Sequence, residues 1–97
     1  MTFNDVQGPF KPYYQAAAAV DVVVKGQPGF LKGILVGDAV GSSVIEISDH
    51  ATDGDGNVVV YLAGSTLGPA YYDVNLEFAA GITADITLQT HVTFIYK

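Results

Sequence analysis

The sequence of 97 residues contains no cysteine, no tryptophan and no arginine, and it has four lysines against ten acidic residues. The absence of cysteine excludes disulfide frameworks, thiolate metal sites and thiol nucleophiles, so stability must come from packing or from partner subunits. Nucleic-acid binding draws its affinity from lysine and arginine contacts to phosphate. Four scattered lysines at a net charge of -6 provide no such patch.

Long apolar segments are also missing. No stretch approaches the roughly 18 to 20 apolar residues that span a bilayer, and residues 1–8 lack the basic and apolar regions of a secretion signal. A chain of this length corresponds to one domain with a modest core. We therefore expect one soluble domain without a membrane segment, a cofactor or a deep catalytic cleft.

The residues that are abundant favour strands. Valine, isoleucine and threonine occupy 26 positions, and branching at Cβ favours the pleated strand over the helix. No run keeps apolar residues at i, i+3, i+4 and i+7 over three turns. Turn residues separate seven or eight short strands, which predicts an all-β, single-domain antiparallel β-sandwich or jelly roll.

The clearest strand lies near the middle of the second half of the chain. Alternation predicts that Tyr72, Val74, Leu76 and Phe78 face the core, with Tyr71, Asp73, Asn75 and Glu77 facing outward. Shorter strands are predicted at 30–36, 43–48, 57–62, 82–86 and 92–96, and a tight turn at 26–29.

The amino-terminal segment does not follow this alternation. Pro9 and Pro12 interrupt it, so residues 1–12 are predicted to form an extended arm and residues 13–97 the sandwich domain. Apolar anchors favour an arm that is docked on a neighbouring molecule over a solvated tail. These anchors are Phe3, Val6, Phe10, Tyr13 and Tyr14.

One dense polar cluster occupies residues 49–57. Asp53, Asp55 and Asn57 match the first three ligand positions of a calcium loop, but Val58 replaces the required glycine and Gly64 the required glutamate. We therefore interpret this segment as a hairpin turn, with a weak metal site as the alternative.

Signatures of catalysis are absent from the sequence. No nucleophile elbow accompanies His50 or His91, and the two glutamates, Glu46 and Glu77, occupy outward strand positions. No glycine-rich phosphate loop is present. Because tyrosines can stack on sugars, a carbohydrate-binding or adhesin-like module remains an alternative, although interface use is favoured for outward tyrosines.

Several segments resemble those of small jelly-roll virion proteins of tailed bacteriophages. In that group a glycine-led strand precedes an I-x-I-x-D strand, a proline-tyrosine approach, an F-x-x-G-[IL] corner and an aromatic-basic terminus. The corresponding segments are 29–36 (GFLKGILV), 44–49 (VIEISD), 69–74 (PAYYDV), 78–82 (FAAGI) and 92–97 (VTFIYK). The resemblance covers about the last two thirds of the chain.

The resemblance implies a structural protein of jelly-roll type, a capsid decoration or cement protein bound to the major capsid protein on the virion surface, commonly as a homotrimer. A tail- or fibre-associated phage protein is the alternative within this class. With that implication, outward Val23, Tyr71 and Ile95 join the arm residues as candidates for partner binding.

Overall fold

A computed structural model describes residues 10–63 and 66–97. Within these residues the chain forms antiparallel strands, and no helix is long and apolar enough to cross a membrane. The strands are β1 (Lys11–Gln15), β2 (Ala19–Lys25), β3 (Gly29–Val36), β4 (Val40–Gly41), β5 (Val44–Asp49), β6 (Val58–Ala63), β7 (Thr66–Leu67), β8 (Ala70–Phe78), β9 (Ile82–Thr87) and β10 (Val92–Tyr96). The prediction of an all-β chain is confirmed.

The strands form two four-stranded antiparallel sheets, as expected for a β-sandwich. Sheet 1 has the strand order β1-β10-β3-β8, and sheet 2 has the order β2-β9-β5-β6. The two-residue strands β4 and β7 form a separate ribbon. The chain passes from sheet 1 to sheet 2 after β1 and back to sheet 1 after β2, and it returns to sheet 2 at β5 after the ribbon strand β4.

The core lies between the sheets and takes the inward side chains of both. Strand β9 contributes Ile82, Ala84 and Ile86 at positions two apart, as the pleat requires. The other buried apolar side chains are Val22, Val24, Leu31, Ile34, Val36, Ile45, Ile47, Phe78, Val92 and Phe94. The terminal strand also turns Tyr96 toward this core, as alternation predicts.

The sandwich begins earlier than the sequence predicted. Lys11 and Pro12 belong to β1 and lie opposite Tyr96 and Ile95 of β10. Proline is tolerated there because β1 is an edge strand, where one side of the backbone needs no ladder hydrogen bond. The part of the predicted arm before Phe10 lies outside the described residues.

The alternation in β8 holds at Tyr72, Val74 and Phe78 and fails at Leu76. Leu76 is 41 % exposed although it lies opposite the buried Leu31. The register of β3 and β8 shifts by one residue between Leu31 and Gly33, and Asn75 has φ of 54°. This bulge bends the free edge of sheet 1, so the Leu76 side chain is left at the rim of the core.

Candidate partner-binding surface

The outer face of sheet 1 carries a row of side chains drawn from all four of its strands. The register places Tyr14 opposite Thr93, Thr93 opposite Leu35, and Leu35 opposite Tyr71. Tyr14 is 56 % exposed, and Leu35 and Tyr71 are each 47 % exposed. Cross-strand neighbours lie about 5 Å apart, so these side chains form one continuous apolar strip.

A second row runs beside this strip and is covered in part by Tyr71. Pro12, Ile95 and Gly33 lie opposite one another on three strands. The phenol end of Tyr71 lies directly over Gly33, in space that a Cβ atom would fill. Glycine is therefore required for this ring position, and the ring extends the apolar surface across the sheet.

The Tyr71 hydroxyl is held at the polar margin of the same face. It donates to Asp73 Oδ1 at 3.2 Å and lies 3.4 Å from the Lys32 carbonyl oxygen. Partial burial, together with the Asp73 carboxylate, raises the pKa of Tyr71 above its ordinary value of 10.0. Lys32 Nζ lies 3.6 Å from Asp73 Oδ1 and donates to Asn75 Oδ1 at 3.1 Å. The charged groups of Lys32 and Asp73 therefore lie together beside β8.

Phe10 extends the apolar surface at the opposite end of sheet 1. Its ring centroid lies 6.3 Å from that of Phe30. Phe30 occupies an outward position of β3, because side chains alternate along a strand and its neighbour Leu31 is buried. The Lys97 ammonium lies 5.2 Å from the Phe10 ring centroid, within cation-π range. The chain therefore enters the described structure on the outer face of sheet 1.

A hydrogen-bonded cluster orients Tyr14 at the other end of the strip. Its hydroxyl bonds to His91 Nδ1, and His91 Nε2 lies 3.3 Å from Asp38 Oδ2. Asp38 also accepts a hydrogen bond of 2.7 Å from the Thr90 hydroxyl. The side chains of His91 and Asp38 are each about half exposed, so water competes for their hydrogen bonds. The cluster therefore serves to position the Tyr14 ring.

The outer face of sheet 2 differs because a loop of the same chain folds over it. Residues 50–57 connect β5 to β6, as the sequence predicted for a hairpin. The Ser48 hydroxyl donates to the Gly54 carbonyl oxygen at 2.6 Å, and the Thr83 hydroxyl donates to the His50 carbonyl oxygen at 2.7 Å. Ser48 and Thr83 are consequently fully buried at outward strand positions.

Acidic residues surround this loop. Asp21 Oδ1 accepts from the Gly54 amide at 2.8 Å, and Asp85 Oδ1 accepts from the Asp21 amide at 2.7 Å. Asp53 lies against Asp55, which raises the pKa of Asp55, while hydrogen bonds from Asp55 lower the pKa of Asp53. The two carboxyl groups thus disfavour simultaneous ionisation. Glu46 adds a further acid to this face.

The predicted calcium ligands have other roles. The Asp55 amide donates to Asp53 Oδ1 at 3.1 Å, and the Asn57 carbonyl oxygen accepts from the Asp49 amide at 2.9 Å. Among residues 10–63 and 66–97, no three histidine, aspartate or glutamate side chains are arranged to hold a metal ion. The loop acts as a cover for sheet 2.

Ser43 and His50 also form hydrogen bonds with other parts of the chain. The Ser43 hydroxyl donates to Gln89 Oε1 at 2.7 Å, and both side chains are buried. His50 Nδ1 accepts from the amides of Thr52 and Asp53 at 3.1 and 2.9 Å. These contacts organise loops.

The structure separates the residues that were predicted for partner binding. Tyr14, Tyr71 and Ile95 lie on the outer face of sheet 1, and Phe10 lies at its end. Val23 is exposed on sheet 2, between the buried Val22 and Val24. Tyr13 turns inward and packs 6.4 Å from the ring of Phe94, because it occupies the alternate position of β1. Phe3 and Val6 lie outside the described residues.

Sequence reasoning missed Leu35, Thr93, Pro12 and Phe30. Strand β3 is apolar on both sides of its pleat, so hydropathy alone does not separate its outward Leu35 from its inward Ile34 and Val36. The signal that could have found Leu35 is the register between β3, β8 and β10, which sequence patterns do not specify.

Comparisons of this chain with protein-family models, with curated proteins and with solved structures find no match.

Proposed function

We propose that this chain is a non-enzymatic structural protein of a tailed bacteriophage virion, a decoration or cement protein that binds the lattice of the major capsid protein and stabilises the head. One observation carries the proposal. The outer face of sheet 1 carries an apolar, aromatic strip that no described segment covers, whereas residues 50–57 cover part of the outer face of sheet 2 and are surrounded by acids. A molecule with one such face is suited to lie flat on a larger assembly.

The strand pairing supports a fold of jelly-roll type. With the ribbon of β4 and β7 set aside, the first strand pairs with the last, β2 pairs with β9, β3 pairs with β8, and β5 pairs with β6. A long hairpin with such nested pairing, rolled into two sheets, gives the two Greek keys of a jelly roll. This is the fold of the virion proteins that the sequence resembles.

The physical basis of stabilisation is mass action. A protein that binds the assembled lattice, and binds its dissociated parts less, shifts the equilibrium toward the lattice. The exposed rings of Tyr14 and Tyr71 suit this contact, because tyrosine buries an apolar ring while its hydroxyl remains paired. Phe10 lies at the end of the same face, so Phe10 and the strip form one candidate contact with the capsid.

The remaining parts of the proposal follow from the resemblance. It implies location on the capsid surface and self-association, commonly as a homotrimer. A tail- or fibre-associated protein shares the same features and differs in its place on the particle. Labelling purified virions with an antibody against the chain separates head from tail, and absence from particles contradicts both.

A carbohydrate-binding or adhesin-like module is the second candidate, because Tyr14 and Tyr71 lie on one face. They are three strands apart, so about 14 Å separates their positions. A glycan array that binds the wild type, and loses binding in both Tyr14→Ala and Tyr71→Ala, would favour this function over capsid binding.

The decisive experiment measures co-sedimentation of the purified chain with capsid shells that lack it. Leu35→Glu places a charge in the centre of the apolar strip and should weaken binding by at least about tenfold, as expected for a central interface residue. Val23→Glu is the matched control, because Val23 is 40 % exposed on the other sheet. Equal binding by the two variants, with both folded by circular dichroism, would overturn the proposal.

A further inference from the structure

Strand β6 forms one edge of sheet 2 and carries neither a proline nor a charge, although its pairing with β5 shifts register between Val58 and Val60. Its sequence from Val58 to Ala63 is VVVYLA, with no charge, no proline and no glycine. Val58, Val59 and Tyr61 are 40 %, 45 % and 61 % exposed. Among the described strands, β6 pairs only with β5. Within residues 10–63 and 66–97, one side of its backbone therefore has no strand partner.

The other sheet edges carry protective features. Strand β1 has Pro12, and β2 has Asp21 with φ of 53° and two register shifts along its pairing with β9. Strand β8 has the bulge at Asn75 and the acids Asp73 and Glu77. Proline, bulges and charges all prevent the addition of another strand. By this comparison β6 is the edge without a proline or a charge. Its register shift is confined to Val59, so residues 60–63 form a regular edge that is open to pairing.

A cleft beside β6 adds a second requirement for any occupant. It has a volume of about 430 Å³ and lies between the edge strands β6 and β8. Val60 and Leu62 line one wall, and Tyr72, Val74 and Leu76 line the other. Tyr72 and Val74 face the core yet are only half-buried, and Leu76 is exposed at its rim. An occupant must therefore supply an extended backbone and apolar side chains at alternate positions.

We propose that β6 pairs antiparallel with β6 of a second copy of this chain, across a two-fold axis. The β6 sequence meets both requirements, because its backbone is extended and Val60 and Leu62 are two residues apart. Continuing the sheet would bring these side chains of each copy toward Leu76 of the other and close the clefts. A two-fold contact uses the same patch twice, so it needs no second complementary surface.

The amino-terminal residues are a poorer match for this edge. Phe10 lies on the outer face of sheet 1, which is the opposite layer from β6. Residues 1–9 also place Phe3 and Val6 three positions apart and contain Gly8 and Pro9. Such a segment does not alternate as the cleft requires.

The inference rests on the self-association in the proposed function, and it specifies a two-fold contact where the resemblance implies a three-fold one.

The test is sedimentation velocity of the full chain over a range of concentrations, with two matched variants. Val59→Lys should raise the dimer dissociation constant by about a hundredfold, because it places a charge on the edge strand and charges on an edge oppose the addition of another strand. Val20→Lys is the control, because Val20 is 74 % exposed on β2, at the other edge of the same sheet. It should leave the dimer intact.

A second measurement does not depend on a variant. Hydrogen exchange of the wild type should slow at β6 amides as concentration rises, with little change in the amides of β2. The inference would be overturned by a chain that stays monomeric at every concentration or forms a trimer. It would also be overturned if Val59→Lys still associated and hydrogen exchange of the β6 amides did not change.

Binding to capsid shells is measured in a separate experiment. Val59→Lys should keep it, so loss of the dimer and failure of the proposed function are distinguishable.

Discussion

The outer faces of the two sheets differ in what covers them. In sheet 2, residues 50–57 fold back and bury Ser48 and Thr83, and the surface that remains carries acids together with the exposed Val23, Val59 and Tyr61. In sheet 1 no described segment covers the strip from Tyr14 to Tyr71, which stays apolar. A sheet face that the chain covers itself needs no partner, whereas an apolar face without a cover is available for one. Within the described residues, the lack of a covering loop therefore distinguishes the candidate interface on sheet 1 from the outer face of sheet 2 more clearly than hydrophobicity does.

The largest loss of stability is expected when a glycine under the loop of sheet 2 is replaced by alanine, and the same replacement on sheet 1 provides the comparison. In Gly54→Ala the added Cβ would meet backbone of β9, 2.9 Å from the Ala84 carbonyl carbon, and the Asp85 carboxylate. The loop must then lift from sheet 2, and we expect a loss of about 2 kcal/mol in the free energy of unfolding. In Gly33→Ala the added methyl meets only the end of the Tyr71 ring, which can rotate away. Its cost should stay below about 1 kcal/mol.

Urea unfolding of the two variants provides this comparison. Gly26→Ala serves as the control, because its added Cβ finds its nearest neighbours at 3.7 Å, an ordinary contact. If Gly33→Ala proved as costly as Gly54→Ala, the Tyr71 ring would be a fixed part of the fold rather than an adjustable part of the surface.

A smaller effect is expected at Asp49, which joins the two sheets. Its carboxylate accepts from the amides of Ala79, Ala80 and Gly81 at 3.0, 2.7 and 3.4 Å, in the turn from β8 to β9. These bonds, chiefly that of Ala80, lower the pKa of Asp49 below 3.8. Since the site is solvent-accessible, Asp49→Asn should cost only about 1 kcal/mol at neutral pH.

The pH dependence of this cost follows from the direction of the shift. A carboxyl group with a lowered pKa in the folded chain stabilises it above its ordinary value of 3.8, and this contribution is lost as the pH falls through the lower folded value. Thermal unfolding of wild type and Asp49→Asn should therefore differ most at neutral pH and converge at acidic pH. A difference that is independent of pH would assign the effect to shape rather than to charge.

The smallest effect is expected at Asp55, on the acidic face of sheet 2. The pKa of Asp55 is raised, first by its hydrogen bond with Asp53 and then by the charges of Asp53, Asp85 and Asp21. A raised pKa stabilises the folded state below 3.8, and this contribution is lost as the pH rises through the folded value. Asp55→Asn should therefore raise the melting temperature slightly at neutral pH and leave it unchanged near pH 3. A lower melting temperature of Asp55→Asn than of the wild type at neutral pH would show that repulsion between Asp55 and the neighbouring carboxylates does not destabilise the fold.

Local patterns predicted much of the fold. The alternation in β8 identified Tyr72, Val74 and Phe78 as inward, and the turn residues after Asp49 indicated a hairpin, because both depend on the backbone of a few consecutive residues. Leu76 was predicted wrongly, since the bulge at Asn75 depends on pairing with β3. Lys11 and Pro12 were assigned to the arm because Pro12 interrupts the alternation, although an edge strand accommodates that proline.

Composition and local patterns were enough to specify an all-β chain, the hairpin between β5 and β6 and the surplus of acids, because β-branched residues, turn residues and charge act locally or by composition. The packing of distant segments, in contrast, places Tyr14, Leu35 and Tyr71 in one exposed strip and Val23 on the other sheet. It also decided that residues 50–57 cover sheet 2 and that β6 is left as an open edge. These features depend on strand register and on contacts between distant segments, which no local periodicity encodes.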